Sequence, residues 1–297
     1  MWQSQYVARE LTQLAGREVS LVQISTQGDR DRVAALSALG GQGVFTREVQ
    51  QAVLDGRADL AVHSLKDLPT VPVPGLILAA VPPRESRFDA LLLPKSSQLV
   101  GKNSLMSLPQ NSRVATGSPR RRSQLLYSRP DLMITEVRGN VETRLRKLDD
   151  GEFDALILAE AGLNRLGLSD RISQRLAPPH MFPAVGQGAL GIECRSDDAA
   201  TIALLSQISS PSTSAEAIAE RACLFTLKAG CHAPVGIAVF AKAGPTGPIW
   251  QSAEAVVLSP DGTARIDATL ESPTGEPIAI GLGLAEELLQ RGAARWL

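Results

Sequence analysis

Aromatic side chains are scarce in this chain, 4% of its residues. Grooves for single-stranded nucleic acid rely on such rings to stack bases, so that class of partner is disfavoured. Neither sign of charge is in excess: 30 basic residues face 31 acidic ones, a formal net charge of -1. No global field therefore draws the molecule to a polyanion or a membrane, and any anion site must arise from local clustering. Long apolar runs are missing too, and none approaches the roughly 20 residues that span a bilayer. The opening stretch MWQSQYVARELTQLAG has no basic n-region, no continuous apolar core and no small-residue cleavage site, so it reads as an amphipathic helix and not as an export signal. Cysteines number three, Cys194, Cys223 and Cys231, with no CxxC pair. Neither a disulfide framework nor a thiolate zinc site is therefore implied. His63, His180 and His232 are far apart and give no metal pattern. These absences point to a cytoplasmic globular protein without a membrane or metal partner, and weaken the reading of a nucleic-acid partner.

At 297 residues the chain is too long for one small core and predicts two or three domains. Strand-like and helix-like segments alternate through its first two-thirds. Val19–Ile24, Asp59–Val62 and Leu76–Val81 read as strands, with a helix over Phe45–Leu54. Val114–Thr116, Ile134–Val137 and Ala155–Leu158 read as a second strand set, with helices at Pro119–Tyr127 and Val141–Leu148. Asn140 is the expected N-cap of the latter. This alternation predicts an α/β fold with mainly parallel sheets. Pro82-Pro83 and Pro178-Pro179 flank the second set and read as crossings between domains. Gly186–Cys194 reads as a strand returning to the first domain. From Ser210 the texture becomes a helix, ended by Gly230, then short alternating strands and a last helix near Leu282–Gln290. The expected division is residues 1–82 with 187–208, residues 87–182, and residues 210–297. Ligand is expected in the cleft between the two crossed-over lobes.

Four segments carry chemistry. His63-Ser64-Leu65-Lys66-Asp67 begins where a strand ends, the place where open α/β sheets bind ligands. Asp67 can take a proton or stabilise a cation, and Ser64 and Lys66 can hold an anion; the same segment also reads as a solvated loop with a local Lys–Asp pair. Thr116-Gly117-Ser118-Pro119-Arg120-Arg121-Arg122 joins a strand end to a helix start, where backbone N–H groups favour anions. Val137-Arg138-Gly139-Asn140 does the same, with Arg144 one turn inside. Between Arg113 and Lys147 nine basic residues stand against three acidic ones, a local net of +6. Arg165 follows the strand DALILA. Guanidinium forks suit carboxylates or phosphates, and the scarcity of aromatics favours small polycarboxylates over nucleic acid. In the fourth segment, Ala229-Gly230-Cys231-His232-Ala233-Pro234, Cys231 follows a glycine turn. Most free cysteines are small buried hydrophobes, and spacing alone does not single out Cys231. Gly40-Gly41-Gln42-Gly43 lies in a glycine-rich loop that could serve as a lid.

Taken together, the stretches GGQGVFTREVQQAVLDGRADLAVHSLKDLP, ATGSPRRRSQL, VRGNVETRLRKLDDGEFDALILAEAGLNRLGL, FPAVGQGALGIECR and ERACLFTLKAGCHAPVG resemble the hydroxymethylbilane synthase family, also called porphobilinogen deaminase, in that family's order. The resemblance implies two periplasmic-binding-protein-like α/β domains with a double crossover and a small α+β C-terminal domain. It implies a dipyrromethane cofactor held by a thioether to Cys231, and porphobilinogen as substrate. Four porphobilinogen molecules would be condensed with loss of ammonia, and hydrolysis would then release hydroxymethylbilane. Asp67 falls at the family's catalytic aspartate. Ser64, Lys66, Thr116, Ser118, Arg120, Arg121, Arg138, Arg144 and Arg165 fall at binders of acetate and propionate groups. Gly40, Gly41, Gln42, Gly43 and Phe45 match its mobile loop, with Gln42 where a lysine is common. The family's opening strand, with an Arg-x-Ser segment, precedes the helix in which this sequence begins, and a chain without it is expected to be less stable and less active.

Overall fold

The computed structural model describes residues 2–16, 18–24, 46–97, 105–230, 232–244, 248–270 and 274–297. Helix α1 spans Trp2–Ala15 and buries Val7 and Leu11; its apolar positions recur at helical spacing and face a sheet. After α2 (Arg47–Leu54) come β1 (Leu60–Ser64) and β2 (Leu76–Ala80). The chain then leaves for a second sheet built from β3 (Asp89–Leu92), β4 (Arg113–Ala115), β5 (Met133–Thr135), β6 (Ala155–Ala159) and β7 (Gln174–Leu176). It returns to the first sheet as β8 (Leu190–Arg195), which is followed by α6 (Ala199–Ser206). Helices α3 (Pro119–Ser128), α4 (Val141–Asp149) and α5 (Glu160–Arg165) follow β4, β5 and β6 respectively. The architecture is therefore α/β with two crossovers, as the proline pairs suggest.

The expectation of mainly parallel sheets is corrected. The first sheet has the order β1-β8-β2, and β8 runs antiparallel to both neighbours. β1 and β2 point the same way, as strand–helix–strand units require, but the returning strand has wedged between them. In the second sheet, ordered β5-β4-β6-β3-β7, only the β4–β5 and β4–β6 pairs are parallel. β3 is antiparallel to β6 and β7. Its side chains split between two cores: Leu91 packs with Val114, Ala155 and Ile157 on one face, and Ala90 and Leu92 with Ala115, Leu156 and Leu158 on the other. A strand covered on both faces reads as a continuous apolar run, and that is what masked β3 in the sequence.

The strand expected over Val19–Ile24 is not formed: residues 18–24 carry no ladder. Leu21 and Val22 are about half exposed, and an open groove of about 590 Å³ lies between this segment and α1. β1 pairs only with β8 among the described residues. A strand exists only through its partner's hydrogen bonds, so apolar alternation without a neighbour yields an extended segment and nothing more.

The C-terminal unit is α7 (Pro211–Thr226), a meander of β9 (Val235–Ala243), β10 (Pro248–Leu258) and β11 (Arg265–Leu270), and α8 (Pro277–Gln290). Ser210 caps α7, its side chain accepting from Thr213 N–H. The expected stop at Gly230 is corrected: Lys228 takes the left-handed conformation at φ 52. Its N–H donates to Phe225 O, and Ala229 N–H to Leu224 O, which is a Schellman ending formed without glycine.

Candidate active site

Three strand ends converge here. β1 runs out into a single 3-10 turn, Leu65–Asp67. β4 feeds α3, whose N-cap is Ser118, with Pro119 at the first turn. β5 leads to α4, capped by Asn140, whose Oδ1 accepts from Thr143 N–H at 2.9 Å. Thr116 Oγ1 accepts from Ser118 N–H at 3.2 Å, and Ser118 Oγ accepts from Arg121 N–H at 3.4 Å. Both hydroxyls are thus turned by their acceptor side into the helix start, which leaves their own hydrogens available to a bound anion.

Arg120 and Arg121 are buried, and both grip Asp89, the fully buried first residue of β3. Arg120 donates to Asp89 Oδ2 at 2.7 Å and to Phe182 O. Arg121 donates to Asp89 Oδ1 through Nε and an η nitrogen at 3.0 and 2.8 Å, and to Ile157 O. Gln187, on the second crossover, donates to the same Oδ1 at 2.9 Å. Burial alone would raise the Asp89 pKa, but the two arginines outweigh it and hold the carboxyl well below the ordinary range. Two guanidinium groups around one carboxylate leave a local excess of positive charge. Arg120 Nε is buried with no partner.

Lys66 lies in the same field. Burial lowers its pKa most, Asp67 opposes this, Arg121 and Arg120 add to it, and Asp89 opposes. The end of β1 and the start of α3 therefore face one another, as expected. Asp67 is exposed, and its carboxylate accepts no hydrogen bond from the described residues. Ser64 Oγ accepts from Gln3 Nε2 of α1 at 2.6 Å, a neighbour the sequence did not suggest.

The remaining arginines differ. Arg144 is half-buried; it donates to Gly139 O at 2.7 Å, and burial first, then Arg121, lowers its pKa. Arg165 donates to Gly188 O at 2.8 Å and lies 5.3 Å over the Trp2 ring; its Nε is buried without a partner. Arg138 pairs with Glu136 at 2.9 Å at the surface. Asp89 and Gln187 were missed by sequence reasoning. The available signal was a lone acid opening the apolar run Ala90-Leu91-Leu92-Leu93, since a buried carboxylate needs cationic partners.

Cys194 and Cys223 are both fully buried. Burial first, then Asp198, raises the Cys194 thiol pKa; burial first, then Glu220, pushes Cys223 up to about 12. Cys231, and the loop residues Gly40, Gly41, Gln42, Gly43 and Phe45, lie outside the described residues. Among the described residues no group of acids, histidines or cysteines could hold a metal ion.

Residues 1–203 match the family described as porphobilinogen deaminase, dipyromethane cofactor binding domain. Residues 214–290 match porphobilinogen deaminase, C-terminal domain. A porphobilinogen deaminase of Syntrophotalea carbinolica is 43% identical over 299 residues, covering 100% of this chain and 91% of its own. One from Chromobacterium violaceum is 43% identical over 294 residues, covering 99% and 92%. Among solved structures, a Salmonella typhimurium periplasmic binding protein of high arginine specificity covers 69% of this chain and 80% of its own, at 14% identity and a TM-score of 0.38, an overlap that bears no weight.

Proposed function

The chain belongs to the porphobilinogen deaminase family, and we propose that it works as a hydroxymethylbilane synthase in which Asp67 is the catalytic carboxylate and Cys231 carries the primer. It is a transferase that condenses four porphobilinogen molecules in turn, with loss of ammonia, and releases hydroxymethylbilane by hydrolysis. We take residues 1–82 with 187–208, 87–182 and 210–297 as its three domains. It is read as a cytoplasmic monomer without a nucleic-acid partner. Consistent with this, the formal net charge is only -1, and no helix among the described residues is long and apolar enough to cross a membrane.

The observation that carries the proposal is the donor-rich cluster of Lys66, Thr116, Ser118, Arg120, Arg121 and Arg144 around the buried Asp89, with Lys66 next to Asp67 in the chain. Arg120 Nε and Arg165 Nε are buried donors without partners, and such groups cost stability unless an acceptor arrives. A dipyrromethane bears several carboxylates, so this donor set fits it. When bound, the group would supply the free pyrrole α-carbon to which the first substrate is joined, each later one joining the ring added before it. Arg120, Arg121, Arg144 and Arg165, with the two hydroxyls and Ser64 and Lys66, would hold its acetates and propionates and those of porphobilinogen. Arg138 would join them from the rim. Asp89 holds two of the forks in place. Among the described residues the carboxylate of Asp67 accepts no hydrogen bond, which supports its being available to a pyrrole N–H. There it stabilises the positive charge that builds when ammonia departs, and takes the proton that leaves afterwards. Gly40, Gly41, Gln42, Gly43 and Phe45 are proposed as the loop that closes over the site.

A lysine at Arg144 tests the carboxylate assignment, because lysine keeps the charge and loses the fork. Arg144→Lys is expected to fold normally and to lower porphobilinogen turnover, with incompletely extended species accumulating by intact-mass analysis. Unchanged turnover and no such species would remove Arg144 from the site.

A further inference from the structure

Among the described residues no side chain hydrogen-bonds the carboxylate of Asp67, so the backbone of its turn places it. Asp67 is exposed, and whatever fixes the 65–69 turn fixes the carboxylate. On the upstream side the turn continues β1, and Leu65 N–H donates to Ala189 O at 3.0 Å. Leu65 also packs on Gly186, where the backbone has φ +68 and an added Cβ would come within 2.9 Å of Leu65 Cγ.

On the downstream side the hold comes from α7. Arg221 donates through one η nitrogen to Leu68 O at 2.9 Å and through the other to Pro69 O at 2.6 Å. These are the two carbonyls that follow Asp67 in the chain. Ala217, one turn earlier on α7, is fully buried in a cluster with Leu65 and Leu68. The neighbouring Glu220 accepts from Gly186 N–H at 2.8 Å, under the same turn, and is itself held by Arg84 at 2.7 and 3.0 Å. One face of α7 thus grips the Asp67 turn at its carbonyls, at its leucines and at the glycine beneath it. Along the chain, the same helix leads to Cys231.

We propose that Arg221 is the positioning residue for Asp67, and that α7 ties the placement of the catalytic carboxylate to the unit that bears the attachment cysteine. A guanidinium suits this task because its planar fork can serve two successive carbonyls at once, which an ammonium cannot do with the same rigidity. The proposal rests on the reading of Asp67 as the catalytic carboxylate.

The test is made on the holoenzyme. Arg221→Met keeps the apolar stem and removes both donors. Turnover per pyrrole-loaded chain is expected to fall on the order of 10²-fold, the cost of a misplaced reacting group, with KM for porphobilinogen little changed. Hydrogen exchange at the amides of residues 65–70 is expected to quicken, while α7 and the meander keep their protection. Arg221→Lys, which can serve one carbonyl at a time, is expected to recover part of the loss, remaining about 10-fold below the parent. In an Asp67→Asn background, Arg221→Met is expected to add nothing further, because the two act through one group. If Asp67→Asn alone leaves turnover intact, the reading of Asp67 fails. If Asp67→Asn abolishes turnover while Arg221→Met or Arg221→Lys keeps full turnover per loaded chain with unaltered exchange at 65–70, the proposal for Arg221 fails by itself. The lysine variant decides the matter even where the methionine variant does not fold.

Discussion

Cys231→Ser is expected to yield a folded protein with no covalent pyrrole and no turnover of porphobilinogen. The thiolate is the species that forms a thioether, and a serine hydroxyl does not ionise in the accessible range. Neither of the other cysteines can stand in. Cys194 lies inside β8 in the core shared with α1. Cys223 lies in α7 against α8 and the meander. With its thiol pushed up to about 12 by burial, Cys223 stays a thiol at neutral pH. Cys194→Ala and Cys223→Ala are expected to retain the adduct, alanine being chosen because a buried hydroxyl would bring its own penalty. Intact-mass analysis and the colour reaction of pyrroles with Ehrlich's aldehyde read the outcome. An adduct that survives Cys231→Ser, or vanishes in Cys223→Ala from a folded chain, overturns the assignment.

Asp67→Asn is expected to lower turnover by about 10²–10⁴-fold, the usual range for a positioned proton-transfer group. The thermal midpoint and the pyrrole content should not change. The substitution is isosteric, and the carboxylate is exposed and bonded to no described side chain, so the turn has nothing to lose. The two functions of the group, holding a proton and opposing positive charge, disappear together. Amide nitrogen and oxygen in the same place accept no proton at neutral pH and carry no charge. Turnover within a few-fold of the parent rules Asp67 out as the acid–base group.

What the sequence made legible was mostly local. Asn140 as a cap, and Pro119 in the first turn of α3, follow from interactions within three residues, and the structure has them. The double crossover was legible because proline pairs and a texture change mark it in one dimension. The partnerships across the fold were not. Gln3 meets Ser64 across 61 residues, Arg120 meets Asp89 across 31, and Gln187 meets Asp89 across 98. Nothing in the local pattern around Arg120 reveals that its fork is already shared with an internal acid. The basic count between Arg113 and Lys147 therefore overstated the free positive charge of the site. Val19–Ile24 erred in the opposite direction: its apolar content satisfied the local rule, but among the described residues no neighbouring strand supplied a ladder. Lys228 ended α7 in place of Gly230 because the hydrogen bonds of the last turn set where the chain reverses, and they outweigh the modest penalty of a left-handed side chain.

The central claim is that this chain extends a primer on one cysteine with porphobilinogen, and a single-turnover mass measurement tests it most directly. Purified protein, mixed with a few equivalents of porphobilinogen and quenched, is predicted to carry a series of up to four equal mass increments. Each should correspond to one porphobilinogen less ammonia, all on the peptide containing Cys231, and they should collapse to the starting mass as hydroxymethylbilane appears. Folded protein that carries a pyrrole yet shows no increments, or increments on any other peptide, contradicts the account.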